Sequence, residues 1–434
     1  MLKSTEKKHF LKIKNNQIDY KIKKNIFKLL SLLLILLSNY NSSYSQGGSN
    51  YSLFGIGELN RNNGAFYDGL SGTSISVPSE YAINLQNPAM WSYVETTRLQ
   101  FGYKFNQHYN ESATQSLFQN NGKLNDVLAI FSIDTSMGIS ASLGLYSHST
   151  VNYFISNPTS KSAEGITVNG TTKYEGNGGI TNVYLGVSAR PTDYLALGIS
   201  VTGHLGNIKN TSSTSYFESF TFRSATYKES SFGGLSTKLG FNLTAIENLS
   251  IGGFLNINNN FSYSNTNEFI TQFSIDTIIN TQQTISLPTE IGIGLAYKTG
   301  KFILASDFIT QDFTNLDFNK NVASSFQNSY KFSLGVRRVG NPQRSSDFLD
   351  KLGYNFGVAY SQLYYNVNNT NLNEISGSFG LNIPVPGTGM IDMAFIMGQR
   401  GTIDNGLINE YFGRFIVNMS IGDTWFKPIR RYFD

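Results

Sequence analysis

The chain has 434 residues, of which 14% are charged and 14% aromatic, with 41 glycines, 9 prolines and no cysteine. Soluble globular proteins carry about 25% charged residues, so the composition argues against an ordinary soluble enzyme. The lack of cysteine excludes disulfides, thiolate metal sites, cysteine nucleophiles and a lipid-modified N-terminal cysteine.

The net charge of +4 is concentrated at one end of the chain. Nine of the 33 basic residues lie in residues 1–45, together with only two acidic residues, Glu6 and Asp19. The rest of the chain therefore carries a net negative charge. Because the excess of basic residues is confined to residues 1–45, the charge gives no reason to expect a nucleic-acid partner.

Residues 1–45 have the parts of a secretory signal peptide with a long basic n-region. Lys23, Lys24 and Lys28 precede an apolar run from Leu29 to Leu37, and small residues follow that run. The run is too short for a transmembrane helix, which needs about 20 residues. We expect cleavage after Ser45 and export of the mature chain.

Residues 46–95 precede the first predicted strand and are rich in Gly, Asn and Ser. Such a composition also suits a disordered extension. However, the segment contains many apolar and aromatic residues, among them Tyr51, Phe54, Phe66 and Trp91. These favour a hatch, or plug, folded inside a barrel.

From residue 96 onwards the apolar residues alternate with polar ones. Leu99, Phe101, Tyr103 and Phe105 fall on one face of a strand, and the residues between them are polar. Period-two alternation predicts strands with one apolar and one wet face. Strands are predicted at 96–106, 125–134, 137–155, 171–190, 193–208, 227–246, 248–264, 284–298, 301–316, 328–340, 351–365, 371–384, 389–400 and 407–425.

These strands predict an all-β fold, a transmembrane antiparallel barrel of about fourteen strands over residues 96–434. Each is long enough to cross a bilayer when tilted, which takes about 9–11 residues. Long connections such as 107–124, 156–170, 209–226 and 265–283 alternate with short ones such as Pro191-Thr192 and Thr299-Gly300. A soluble β-sandwich gives no reason for this alternation, whereas bacterial barrels have short periplasmic turns and longer external loops.

Ionisable residues within the predicted strands are expected to face the lumen, because Lys or Arg facing lipid at mid-bilayer costs about 2–4 kcal/mol. Candidate lumen-lining residues are Arg98, Lys104, Glu290, Lys298, Asp307, Lys331, Arg337 and Arg414. Near the end of the chain, Trp425, Tyr432 and Phe433 suit an interfacial girdle in contact with the lipid bilayer. The terminal aromatics are also candidates for recognition by the barrel-assembly machinery.

No catalytic or metal motif emerges from the sequence, and no cofactor is expected. The four histidines, at 9, 108, 148 and 204, lack a second ligand at metal spacing. A membrane hydrolase would need a serine, a histidine base and an orienting group. His148 and His204 are the candidate bases, but no G-x-S-x-G is present and we expect the protein not to be an enzyme.

Residues 51–91 resemble the N-terminal hatch of the FadL family of outer-membrane transporters for hydrophobic compounds, in its Bacteroidetes form. The resemblance rests on a Gly-rich opening, a Gly-Ala pair and an Asn-Pro-Ala ending. Residues 286–308, with Leu287, Pro288, Tyr297 and Asp307, are similar to a strand and hairpin of that family. The C-terminal stretch 408–426 is similar to the last strand of the family's barrels. The corresponding hatch positions are Gly55, Gly57, Gly64, Ala65, Asn87, Pro88 and Ala89.

This resemblance implies a fourteen-stranded barrel in the outer membrane of a Gram-negative bacterium. It also implies a hatch, with Gly55, Gly57, Asn87, Pro88 and Ala89 as gating residues, and lateral or periplasmic release of an apolar ligand. The expected function is passive, hatch-gated transport of hydrophobic small molecules such as long-chain fatty acids. An adaptor that carries cargo protein for a secretion system is the alternative.

Overall fold

The computed structural model describes residues 45–425 apart from 62–63, 164–165, 217–222, 272–273, 280–281, 319–323, 342 and 344–345. The predicted signal peptide up to residue 44, Tyr432 and Phe433 therefore lie outside the described residues. No helix in the described part of the chain is long and apolar enough to cross a bilayer.

The described residues form a closed antiparallel barrel of 14 strands. Counted as hydrogen-bonded segments, the strands are β1 (Ser45–Gln46), β2 (Glu58–Leu59), β3 (Thr97–Glu111), β4 (Ser116–Asp134), β5 (Ile139–Ser147), β6 (Ser149–Ala163), β7 (Ile166–Thr192), β8 (Leu195–Tyr216), β9 (Arg223–Ile246), β10 (Leu249–Asn258), β11 (Asn260–Ile270), β12 (Ile275–Ile279), β13 (Gln283–Ser286), β14 (Glu290–Thr299), β15 (Phe302–Asp312), β16 (Ser324–Phe326), β17 (Asn328–Arg338), β18 (Gly353–Val367), β19 (Thr370–Pro384), β20 (Met390–Gly401) and β21 (Asn409–Asp423).

The short helices lie mostly in the N-terminal segment, which we define as residues 45–96. It contains a 3-10 helix at Asn50–Leu53, the helix α1 at Gly64–Asp68 and a second 3-10 helix at Pro88–Tyr93. A further helix, α2 (Phe348–Lys351), and the 3-10 helix Asp404–Gly406 lie in connections between barrel strands.

The barrel has fourteen strand positions around its wall, although more hydrogen-bonded segments are counted. The difference arises mainly because four positions are each occupied by two or three consecutive segments. β5 with β6, β10 with β11, β12 to β14, and β16 with β17 each occupy one position. β21 closes the barrel on β3, with Asn409 opposite Glu111 and Asp423 opposite Thr97. The predicted strand number is thereby confirmed.

Alternation along each strand sorts the side chains between lipid and lumen. On β3, Leu99, Phe101 and Tyr103 are about half exposed on the outer face, whereas Arg98, Gln100 and Lys104 are buried on the inner face. The inner face is polar and hydrogen-bonded, and the outer face is an apolar band suited to contact with lipid. At the barrel end where β3 begins and β21 finishes, Trp425 packs against Phe131, with ring centroids 5.7 Å apart.

The prediction of long loops was wrong, because much of each predicted loop is β-strand. Residues 156–163, 209–216 and 265–270 continue β6, β8 and β11 well past the predicted ends. These extensions all lie at the barrel end opposite the short turns at 193–194, 247–248 and 300–301. The asymmetry between the two ends therefore remains, and we take the extended end as external.

One part of the wall is not continuous. β4 pairs with β5 from Asp126 to Asp134, but its first half has no ladder with β6 among the described residues. The N-terminal segment fills this seam: β1 pairs in parallel with β4 at Gln119 and Asn120, and β2 pairs with β6. Main-chain hydrogen bonds from Gly48 to Asn152 and from Asn60 to His148 complete the closure.

Candidate functional site

The lumen is the candidate site, and the N-terminal segment contacts its wall at several levels. At the periplasmic end, Asn87 begins a 3-10 helix by accepting a hydrogen bond from the Ala89 N–H at 3.0 Å. Its amide also donates to the carbonyl of Phe241 on β9 at 2.9 Å. Trp91 stacks on Tyr184 of β7, with centroids 5.7 Å apart.

Two wall glycines make this close packing possible. A Cβ on Gly198 would lie 2.4 Å from the carbonyl carbon of Pro88, and a Cβ on Gly240 would lie 2.1 Å from Asn87 Oδ1. Any larger residue at either position would have to push the Asn87-Pro88-Ala89 turn away from the wall, since real atoms do not approach that closely.

Asp307 on β15 holds the middle of the N-terminal segment. Its Oδ2 accepts the main-chain N–H groups of Ser74 at 2.6 Å and Ile75 at 2.9 Å, and the carboxylate is buried. Nearby, Ser76 donates to the carbonyl of Gly294 at 2.7 Å. These bonds satisfy buried main-chain groups that have no partner within a regular element.

Asn418 and Asp126 fix the helix α1 against the opposite wall. Asn418 Oδ1 accepts the main-chain N–H of Ala65 at 2.5 Å, and its amide donates to Asp126 at 2.9 Å. Gln100 also donates to Asp126 at 2.9 Å. Across the lumen, the guanidinium of Arg337 lies over the ring of Phe66, 4.3 Å from its centroid.

Arg400 is the centre of a buried ion-pair network that joins the wall to the N-terminal segment. Its guanidinium pairs with Glu374 on the neighbouring strand and donates to Glu58 Oε1 at 2.7 Å. Arg414 on β21 donates to the same oxygen at 2.6 Å. Since Glu58 belongs to β2, two wall arginines hold the segment by one carboxylate.

Glu410 extends the network towards the start of the segment. Its carboxylate accepts a hydrogen bond from the Ser49 hydroxyl at 2.6 Å and from the Asn50 N–H at 2.7 Å, and it lies 3.9 Å from Arg400. Glu410 is fully buried. Removing any one partner would leave a buried charge uncompensated, which is far costlier than losing an exposed pair.

A cavity of about 100 Å³ lies beside this network. Its lining includes five basic side chains and three acidic ones: Arg61, Lys104, Lys331, Arg400, Arg414, Glu58, Asp68 and Glu374. A space of this size and polarity suits several water molecules. It does not suit an apolar solute, which would strip water from the charged groups.

Towards the external end, the lumen is apolar and densely packed. Tyr51 and Ile56 of the N-terminal segment lie in one buried cluster with wall and loop residues such as Phe261, Phe313 and Tyr364. The Tyr364 hydroxyl donates to the carbonyl of Gly57 at 2.7 Å. Gly57 has a φ of +93°, a conformation that favours glycine.

Of the candidate histidine bases, His204 is buried and His148 is half-buried. The rings of His148 and His204 are 5.2 Å apart, and His204 Nε2 is hydrogen-bonded to the Ser236 hydroxyl at 2.8 Å. His204 Nδ1 has no hydrogen-bond partner, so no acid orients the ring. Within the described residues, no group of side chains is arranged to hold a metal ion.

A family model named BamG matches residues 22–433, nearly the whole sequence. The chain belongs to the BamG family. A search of curated proteins gave no significant match.

Several solved structures are similar in fold to this BamG-family chain. The monoaromatic hydrocarbon channel CymD superposes with a TM-score of 0.55 at 10% identity, covering 86% of this chain and all of CymD. The P. putida toluene transporter TodX gives 0.55 at 13%, covering 85% and 100%. A Pseudomonas aeruginosa FadL homologue gives 0.54 at 9%, covering 84% and 98%. At such identities the similarity establishes the FadL-like barrel fold only.

The structure of the BamG-family chain places most predicted lumen residues on the inner face. Arg98, Lys104, Asp307 and Arg337 are buried there, and Arg98 donates to the carbonyl of Thr388. Glu290 lies 3.4 Å from Arg61 of the N-terminal segment. Lys298 differs from the others, because it is exposed beside the periplasmic turn at Asn248.

Sequence reasoning missed the acidic half of the network and its central arginine, namely Glu58, Glu374, Arg400 and Glu410. A signal was available for Arg400, because it shares the inner-face parity of Asp392, Ala394 and Ile396 along β20. Glu58 had no such signal, since nothing in the sequence shows which part of the N-terminal segment meets which strand.

Proposed function

We propose that this protein is a closed outer-membrane barrel that serves the barrel-assembly machinery through its surfaces and not by passing solutes. The observation that supports the proposal is the set of contacts between the N-terminal segment and the lumen wall, from the Asn87 turn to the Tyr51 cluster. Membership of a family named BamG supports the connection with barrel assembly.

The electrostatics of the lumen support a barrel that stays closed. A hydrophobic solute passing along the lumen beyond Arg400, and not leaving laterally, would have to separate buried charges from their partners. Breaking one such pair costs about 3–5 kcal/mol, and several pairs lie at this level. A passive channel for apolar compounds gains nothing from such a barrier.

The test is to purify the tagged full-length protein from its own outer membrane under mild detergent and to deplete it in cells. The proposal predicts stoichiometric co-purification of the insertase of the barrel-assembly machinery. It also predicts reduced membrane insertion of other barrels after depletion, with unchanged uptake of a labelled fatty acid. Co-purification of a secretion machinery, or loss of uptake with normal insertion, would reject the proposal.

A second candidate function is hatch-gated transport of hydrophobic compounds, including long-chain fatty acids. The external apolar cluster around Phe261 and Phe313 favours it, since such a surface would bind an apolar ligand once the N-terminal segment moved. In this proposal, Asn87, Pro88 and Ala89 form the inner gate and the segment 45–96 is the hatch.

Transport can be tested by locking the N-terminal segment to the wall. The hydroxyls of Thr73 and Ser333 are 3.0 Å apart, so a Thr73→Cys, Ser333→Cys pair places two sulfurs in reach. The sequence contains no other cysteine. If the hatch gates transport, oxidation abolishes fatty-acid uptake into proteoliposomes and reduction restores it. Ser162→Cys with Thr167→Cys, an exposed external pair 2.6 Å apart, is the control.

A further inference from the structure

Part of the barrel wall projects beyond the membrane as a free-standing sheet. On β8 the outward apolar residues end at Leu205, and Asn207, Lys209 and Thr211 follow on the same face. The cross-strand partners of Lys209 and Thr211 continue through β9 and β11 to Ile279 and Thr277 of β12. We call the parts of β6, β7, β8, β9, β11 and β12 beyond Leu205 the external wing.

The wing has two edges, and they differ in chemistry. The β6 edge is polar, and Pro158 and Lys161 lie within it. Proline removes a main-chain donor and lysine resists close pairing, so both protect an exposed edge from a foreign strand. Along 156–163, β6 pairs only with β7 among the described residues.

The opposite edge, β12, contains neither proline nor lysine and has a single charged residue, Asp276. It reads Ile275-Asp276-Thr277-Ile278-Ile279, and residues 275 to 278 are exposed. Within the described residues, β12 pairs only with β11. An exposed edge of β-branched residues without proline or lysine is a template for an added strand.

We infer that β12 is a docking edge for an extended segment of another protein at the external face of the membrane, added antiparallel to β12. This inference does not depend on the proposed function. Main-chain hydrogen bonds would supply affinity, and side-chain alternation would supply specificity.

The partner strand is specified by the two faces of the edge. Ile275 and Thr277 share the outer face, so the partner presents apolar or β-branched residues there at every second position. Asp276 and Ile278 share the inner face, with Asp276 opposite Phe269. A lysine or arginine in the partner opposite Asp276 complements that charge.

A second copy of the chain does not fit this edge. Ile275 pairs with Ile270 at the tip of the wing, and Ile279 pairs with Thr266 nearer the membrane, so β12 runs towards the membrane. Two copies in one membrane share their orientation. Their β12 strands would run the same way and could not form the antiparallel pair.

Single cysteines test this docking edge cleanly because the natural sequence has none. A photoactivatable thiol crosslinker is attached in intact cells at position 275 or 277, or at Ser160 on the protected β6 edge as the matched control. The inference predicts adducts from β12 and none from Ser160. It further predicts that the crosslinked residue in the partner moves by two positions, in the opposite chain direction, for each step of two along β12.

A second variant distinguishes strand pairing from mere proximity. Ile278→Pro should lower the adduct yield at position 277 by about tenfold, because it removes a main-chain donor and kinks the strand, whereas Ile278→Val should leave the yield unchanged. Heat-modifiable gel migration verifies that the barrel of each variant is folded. No adduct, an equal adduct at Ser160, an adduct to a second copy, or a yield insensitive to proline would each overturn the inference.

Discussion

The guanidinium of Arg400 donates a 2.7 Å hydrogen bond to Glu58 Oε1, and this contact ties the barrel wall to a segment more than three hundred residues earlier in the chain. The arginine side chain is 1% exposed. The contacts between the wall and this segment therefore include buried charges that have lost their hydration. A single substitution that removes one partner of such a pair lowers the stability of the barrel strongly.

We expect Arg400→Gln to destabilise the folded barrel by about 3–5 kcal/mol, because it leaves Glu58 and Glu374 to share Arg414 and removes the cation beside the buried Glu410. The free energy of unfolding, measured by urea titration in detergent micelles, checks this. Lys209→Gln is the control: Lys209 lies 3.3 Å from Glu229 in an exposed external pair, which is worth at most about 1 kcal/mol. Equal effects of the two substitutions would contradict the role of the network.

Asp307→Ala should loosen the middle of the N-terminal segment without opening the wall. The substitution leaves the buried N–H groups of Ser74 and Ile75 without an acceptor, at a cost of about 1–3 kcal/mol per group. Hydrogen exchange followed by mass spectrometry should show faster exchange in peptides covering 70–78 than in β14 or β17. Asp312→Ala, at an exposed carboxylate hydrogen-bonded to the N–H and hydroxyl of Thr314, should change neither region.

The wall could be predicted from the sequence because lipid enforces its pattern. Leu99, Phe101 and Tyr103 must be apolar to face the bilayer, so their alternation with buried polar residues is visible without a structure. The strand number and the inward direction of Asp307 follow from that alternation. The external wing could not be predicted in the same way, because Lys209, Thr211 and Ser213 face water and need not be apolar.

The interior of the barrel was predictable only in outline. Asn87-Pro88-Ala89 signals a capped turn, and the structure shows that turn. Asp307 accepts hydrogen bonds from the N–H groups of Ser74 and Ile75. These bonds depend on how two segments over two hundred residues apart in the chain are aligned in space. The pairing of Glu58 with Arg400 and Arg414 has the same origin, and one sequence contains no periodic signal for such contacts.

No esterase activity is expected from the serine and histidine that the fold brings together. Ser236 and His204 are hydrogen-bonded, but both are at most 2% exposed and His204 Nδ1 lacks an orienting acid. A nucleophile needs both an oriented base and access for its substrate. Purified protein should hydrolyse a chromogenic ester no faster than the Ser236→Ala or His204→Phe variant. Turnover that is lost in both variants would contradict this expectation.

Gly198→Val tests whether wall glycines hold the inner turn in place. The first side-chain atom would lie 2.4 Å from the Pro88 carbonyl carbon, so the turn must move towards the centre of the lumen and Trp91 must leave its stack on Tyr184. The chain has two tryptophans. In a Trp425→Phe background, the emission of Trp91 should shift to longer wavelength as water reaches the ring. Gly203→Val is the matched control on the same strand, since the nearest atom to its Cβ would be 3.8 Å away. Because both variants place the same side chain on β8, an equal shift in both would show that the strand itself is perturbed and not the contact with Pro88.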